Sequence, residues 1–80
     1  MWDIKKFDMI ISSFRQVQAF VSLAMTQPFE VLVGNDRQHI NGKDFMGMFS
    51  LDYSRPVQVT VSCSDEEFTR FHQLACQISN

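Results

Sequence analysis

The chain has 80 residues, of which 45% are hydrophobic and 20% charged, and its formal net charge is −2. This length predicts one globular domain over 1–80, with a small core to which the eight phenylalanines contribute large side chains. We expect no nucleic-acid partner, since no basic stripe is present, and no membrane insertion, since every apolar run is far shorter than about 20 residues.

The N-terminal segment predicts a strand. Phe7, Met9 and Ile11 occupy alternating positions, which is typical of a strand with one buried face. Residues 1–12 include two aspartates and lack a small-residue cleavage site, so we expect a cytoplasmic protein. Cys63 and Cys76 have no CxxC spacing, and we expect both to be reduced, buried thiols.

A helix is predicted next, from about Phe14 to Thr26. Ser13, followed three residues later by Gln16, fits a capping box at its start. Its apolar stripe has helical spacing and comprises Val17, Phe20, Val21 and Ala24. Arg15 lies in the first turn, where the helix dipole disfavours a cation by roughly 0.3–1 kcal/mol. Arg15 is therefore either a solvated surface residue or a residue that holds an anion.

The middle of the chain predicts a hairpin and a short helix. Residues 29–33 alternate like a strand, Gly34-Asn35-Asp36 is typical of a turn, and 37–40 would be the returning strand. The stretch 42–51 is rich in Met and Phe, and we expect it to form a short helix capped by Asp44.

The C-terminal third predicts a strand and a helix. Residues 56–63 alternate most clearly, and Ser64 with Glu67 fits a second capping box. The final helix would bury Phe68, Phe71, Ala75 and Ile78. The element order is then β-α-β-β-α-β-α, which favours a four-stranded antiparallel sheet with three helices on one face.

Three segments, 15–24, 40–51 and 57–68, together resemble HPr, the histidine-containing phosphocarrier of the bacterial sugar phosphotransferase system. "INGKDFMGMFSL" is similar to the end of the third strand and the second helix of HPr. "RQVQAFVSLA" is similar to its first helix, and "VQVTVSCSDEEF" to its last strand and the acidic start of its last helix. The resemblance implies an α+β, open-faced β-sandwich and a role in phosphotransferase-type carbon regulation.

The resemblance also exposes a departure at the position of the phosphorylated histidine. In HPr that histidine caps the first helix; here Ser13 stands in its place, Arg15 matches the phosphate-binding arginine, and Gln16 replaces a proline. A serine hydroxyl does not titrate near neutrality and forms a stable phosphate ester. We therefore expect the carrier step to be lost or altered, and Ser13 to act first as a helix cap.

A second departure is Asp44, which falls at the regulatory serine of HPr from Gram-positive bacteria. Its carboxylate brings one negative charge, against about −1.5 to −2 for a phosphoserine. Asp44 is expected to cap the short helix, and its charge would partly mimic the phosphorylated state.

The resemblance implies a docking surface for proteins of a phosphotransferase or carbon-regulation system. It would comprise Ser13, Arg15, Gln18, Asp44, Phe45, Met46 and Phe49. We expect no cofactor and no metal site, since His39 and His72 have no ligand set beside them. The protein would be a monomer or a weak, strand-exchanged dimer.

Two alternatives remain open from the sequence. One is a phosphocarrier that uses an unusual acceptor. The other is an α/β module that binds an anion or a phosphorylated metabolite through Arg15 and the N-terminus of the first helix.

Overall fold

The computed structural model describes residues 3–35 and 37–79, and in these residues the predicted element order is confirmed. The elements are β1 (Asp3–Met9), α1 (Phe14–Met25), β2 (Val31–Gly34), β3 (His39–Asn41), α2 (Phe45–Phe49), β4 (Val57–Cys63) and α3 (Asp65–Ser79). The strands form one four-stranded antiparallel sheet, as predicted, and their order in the sheet is β1-β4-β2-β3. None of the helices described is long and apolar enough to cross a membrane.

Strand β4 fixes which face of the sheet the helices cover. Val59 pairs with Phe7 of β1 on one side and with Val33 of β2 on the other, so these three side chains point to the same face. All four residues that the period of two assigned to that face are buried: Val57, Val59, Val61 and Cys63. The alternate residues are half-buried or exposed, as expected for an uncovered second face: Gln58, Thr60 and Ser62.

The helices bury the stripes that their spacing predicted. In α1 the buried residues are Val17, Phe20, Val21 and Ala24. In α3 only Phe71 and Ala75 are fully buried, while Phe68 and Ile78 are half-buried against the core. The Phe71 ring packs edge-on against three other rings, those of Phe7, Phe20 and Phe29, with centroid distances of 5.6–6.1 Å. One side chain of α3 thus joins the sheet, α1 and the entry to β2.

The hairpin differs from its predicted bounds. Strand β3 begins at His39 and not at residue 37, because the Asn35 side-chain oxygen accepts hydrogen bonds from the N–H groups of Arg37 and Gln38. These two residues therefore belong to the turn. Asp36, which the sequence placed in the same turn, lies outside the described residues. Strand β2 begins at Val31, although Phe29 is already buried.

The start of α3 confirms the second capping box in full. The Glu67 N–H donates to Ser64 Oγ at 3.2 Å, and the Ser64 N–H donates to Glu67 Oε1 at 3.1 Å. Next to this cap, Lys5 Nζ of β1 lies 2.6 Å from Asp65 Oδ1. This ion pair joins the edge strand to the first turn of α3.

The cysteine prediction is half right. Both thiols are free, and Cys63 is buried, so desolvation raises the pKa of its thiol. Cys76 is exposed, because it lies on α3 one residue beyond the buried Ala75 and so turns about 100° away from the core.

The Lys5–Asp65 pair predicts a defined pH window of stabilisation. The ion pair lowers the pKa of Asp65 and raises that of Lys5. The stabilisation that comes from the lowered pKa of Asp65 is fully present above its unfolded pKa of about 4, and it is lost as the pH falls through the folded pKa. The stabilisation that comes from the raised pKa of Lys5 is fully present below its unfolded pKa of about 10.4, and it is lost as the pH rises through the folded pKa. We expect Lys5→Met to lower the urea midpoint of unfolding at neutral pH. The effect should be smaller at a pH below the pKa values of Asp65 in both the folded and the unfolded state. An equal loss at neutral and acidic pH would contradict an ionic contribution.

Candidate functional site

The segment between β1 and α1 places Ser13 at the start of α1. Ile11 is buried and anchors the segment, while Ser12 and Ser13 are exposed. Ser13 has extended backbone angles, and its Oγ accepts a hydrogen bond from the Gln16 N–H at 3.2 Å. Ser13 is therefore the N-cap that the sequence predicted.

The other half of the predicted capping box is wrong by one residue. The Gln16 side-chain oxygen accepts from the N–H of Ser12, at 2.6 Å, and from the Ser12 hydroxyl, at 3.1 Å. Its Nε2 donates to the carbonyl of Ile78 in α3, at 3.0 Å. Gln16 turns away from Ser13 because its amide satisfies polar groups of two segments at once. This side chain ties the start of α1 to the last turn of α3.

Arg15 and Gln18 lie in exposed positions on α1. They are three residues apart, so they lie near one another on the helix surface. In the part of the chain that the structure describes, only Lys5 and Asp65 form an ion pair, so Arg15 and Asp44 do not pair. The guanidinium of Arg15 is thus directed to solvent beside the first turn of α1.

The short helix α2 is held by contacts from both sides. Lys43 Nζ donates to the Gln27 carbonyl at 2.8 Å, which joins the entry of α2 to the exit of α1. The hydroxyl of Tyr53 donates to the carbonyl of Met48, and burial raises the pKa of this phenol. Asp44 stands at the N-cap position but makes no side-chain capping bond, so its predicted capping role is wrong. Its carboxylate is exposed and lies toward Gly47.

Helix α2 buries one large side chain and leaves the others at the surface. Met48 is fully buried and belongs to the core. Met46 is 79% exposed, Phe45 is 39% exposed, and Phe49 is half-buried. A helix of five residues has too little buried face for four large side chains, so the remaining apolar surface stays in contact with solvent.

Phe14 is a surface residue that the sequence did not single out. It is 59% exposed and stacks on Phe49 with a ring-centroid distance of 4.6 Å and an interplanar angle of 25°. Phe49 in turn contacts Phe45, also at 4.6 Å. We call Phe14, Phe49 and Phe45 the aromatic row. The sequence held a signal for this residue, because Phe14 lies three residues before Val17 and so extends the apolar stripe of α1 by one position.

The aromatic row brings some of the predicted docking residues together. Phe45 and Phe49 belong to it, and Met46 adjoins it in sequence on α2. Ser13 and Arg15 flank Phe14 along α1, and Gln18 lies one turn further on the same side. Asp44 lies at the start of α2, with no contact to Ser13 or Arg15 among the described hydrogen bonds and ion pairs.

The two histidines lie on other elements. His39 is exposed on β3, and the His72 ring on α3 contacts the aromatic rings of Phe7 and Phe68 and, through Nε2, the sulfur of Cys76. Across residues 3–35 and 37–79, three or more His, Cys, Asp or Glu side chains nowhere come close enough together to hold a metal ion.

Comparisons with known proteins identify the fold. Neither a protein-family model nor a curated protein matches the chain. Among solved structures, the crystal structure of HPr-C-His from Thermoanaerobacter tengcongensis matches with a TM-score of 0.67 over 96% of this chain and 90% of that one, at 19% sequence identity. The chain therefore has an HPr-like fold, as the resemblance implied.

The capping bond of Ser13 predicts how substitutions there affect stability. Ser13→Ala removes the acceptor for the Gln16 N–H, and we expect it to lower the free energy of unfolding by about 1 kcal/mol. Ser13→Asp keeps an acceptor and should leave stability close to that of the wild type. Urea unfolding followed by circular dichroism measures both, and equal stability of the alanine variant and the wild type would contradict the capping role.

Proposed function

We propose that this HPr-like domain binds proteins of a phosphotransferase or carbon-regulation system and does not serve as a rapid phosphocarrier. The observation that carries the proposal is the aromatic row, where rings of α1 and α2 stack at 4.6 Å while Phe14 and Phe45 remain exposed. Exposed aromatic and methionine side chains that adjoin polar groups are typical of protein-binding surfaces.

The composition of the surface supports a protein partner. Met46 adds a large, adaptable apolar side chain, and Arg15 adds a positive charge with no ion-pair partner among the described residues. Aromatic and arginine side chains are enriched among residues that dominate binding energy. Such a surface fits a partner with an apolar depression and an acidic rim. In our proposal the docking surface comprises Ser13, Arg15, Gln18, Asp44, Phe45, Met46 and Phe49, together with Phe14.

The chemistry at the start of α1 argues against rapid phosphoryl relay. The Ser13 hydroxyl is held as a helix cap, and no described histidine contact reaches it. Attack by a serine hydroxyl needs a base, and the resulting phosphate ester is too stable for fast onward transfer. The fixed charge of Asp44 would act as a permanent, weaker counterpart of a phosphorylated regulatory serine.

Enzyme I, the phosphotransferase-system protein that passes a phosphoryl group from phosphoenolpyruvate to HPr, is the partner with which we test the docking surface. We expect Met46→Ala to raise the Kd for enzyme I about tenfold, which corresponds to a loss of roughly 1.4 kcal/mol of binding free energy. Met25→Ala is a matched control, since Met25 is 65% exposed at the far end of α1 and should leave the Kd unchanged. Calorimetric titration measures both. Equal affinity of the two variants would contradict docking through α2.

Phosphorylation separates the proposal from its alternatives. Incubated with enzyme I and phosphoenolpyruvate, the protein should acquire no stoichiometric acid-labile phosphate. Such a label would overturn the loss of the carrier step, and its position would identify an unusual acceptor. An anion-binding module would instead bind inorganic phosphate in calorimetry and lose that binding in Arg15→Ala; we expect no such binding.

A further inference from the structure

We propose that Cys76 is a site of reversible modification by low-molecular-weight disulfides, with His72 as the base that accepts the thiol proton. The proposal is independent of partner binding and concerns another face of the domain. It starts from a pair of side chains one turn apart on α3, in which Cys76 Sγ lies 3.5 Å from His72 Nε2.

The imidazole is held in place by two aromatic rings. It stacks parallel to Phe68 of α3, with an interplanar angle of 5°, and meets the edge of Phe7 of β1 at a centroid distance of 4.7 Å. His72 is half-buried by these contacts, whereas Cys76 is exposed. A restrained base therefore faces a thiol that an external reagent can reach.

The imidazole gives Cys76 a proton acceptor near the end of α3. Cys76 lies three residues before the end of the helix, and its sulfur lies next to His72 Nε2. The thiolate is the nucleophile in thiol–disulfide exchange, so an adjacent base that removes the thiol proton speeds the reaction. The His72 ring, one turn toward the N-terminus of α3, is that base and pairs with the developing thiolate.

The exchange balances without any further reactant. The Cys76 thiol proton passes to His72 Nε2, and the sulfur attacks one sulfur of a disulfide such as glutathione disulfide. The disulfide bond breaks, a new bond forms between Cys76 and one glutathione, and the other leaves as a thiolate that takes the proton from His72. Cys76 is oxidised and the leaving sulfur is reduced. Excess thiol reverses the reaction.

The test compares Cys76 with a second exposed thiol on the same turn of α3. Gln77 is exposed, and the residue four positions before it is Gln73, which is not a base. Cys76→Ser combined with Gln77→Cys therefore gives a reference thiol without an imidazole. We expect wild-type Cys76 to react with glutathione disulfide about fivefold faster than this reference, since an adjacent base removes the thiol proton as the sulfur attacks.

Two substitutions isolate the base from the packing. His72→Phe keeps a ring between Phe7 and Phe68, and we expect it to slow Cys76 to the reference rate while the urea midpoint stays near that of the wild type. If that variant fails to fold, His72→Gln provides the same comparison without a ring. Intact-mass analysis should show one glutathione per chain, removed by excess thiol, and none on native Cys76→Ser, because Cys63 is buried.

Two results would overturn the proposal. One is a His72→Phe variant, folded by circular dichroism, whose Cys76 reacts at the wild-type rate. The other is a wild-type rate no faster than that of the reference thiol at residue 77.

Discussion

The packing of Phe71 is the interaction on which the rest of the structure depends. A folded chain of 80 residues buries little apolar surface, so each buried aromatic side chain carries a large share of its stability. The Phe71 ring is fully buried and contacts rings from β1, α1 and the segment before β2. The docking of α3 thereby determines where α1 lies, and the tie from Gln16 to Ile78 extends that constraint to the N-terminus of α1.

This arrangement explains why exposed apolar groups collect at the ends of the helices. The sheet has one covered face, and the stripes of α1 and α3 fill it with residues such as Phe20 and Phe71. Helix α2 lies beside this packed layer and buries only Met48 fully, so its other large side chains stay near solvent. Phe14 lies at the first position of α1, beyond the buried stripe, and finds a partner in Phe49. The aromatic row is therefore a consequence of how little of α2 the sheet can cover.

Elements with a clear period and standard caps were predictable from the sequence. The alternation over β4 and the stripe of α1 correspond to the observed buried faces, since each residue there has only one environment compatible with its polarity. The start of β3 was not predictable, because it depends on a side chain, Asn35, that takes up two backbone N–H groups. The exposure of Cys76 was missed for another reason: residue type alone favoured burial, while its helical position beside Ala75 decided the outcome.

At the start of α1, one feature could be predicted from nearby residues and another depends on a distant part of the chain. That Ser13 caps α1 follows from its position alone, whereas the partner of Gln16 lies 62 residues away in α3 and leaves no local signal. Because the Gln16 side chain bonds to Ser12 and Ile78, it does not accept a hydrogen bond from the Ser13 N–H. Ser13 therefore makes only one of the two hydrogen bonds of a capping box, the one from the Gln16 N–H to its hydroxyl. The Ser13 hydroxyl accepts one backbone hydrogen bond, and no described side chain is placed to take its proton. In our proposal, a start of α1 built in this way stabilises the helix and presents Phe14 and Arg15 to a partner protein, whereas phosphoryl relay would require a titratable acceptor and a base at this position.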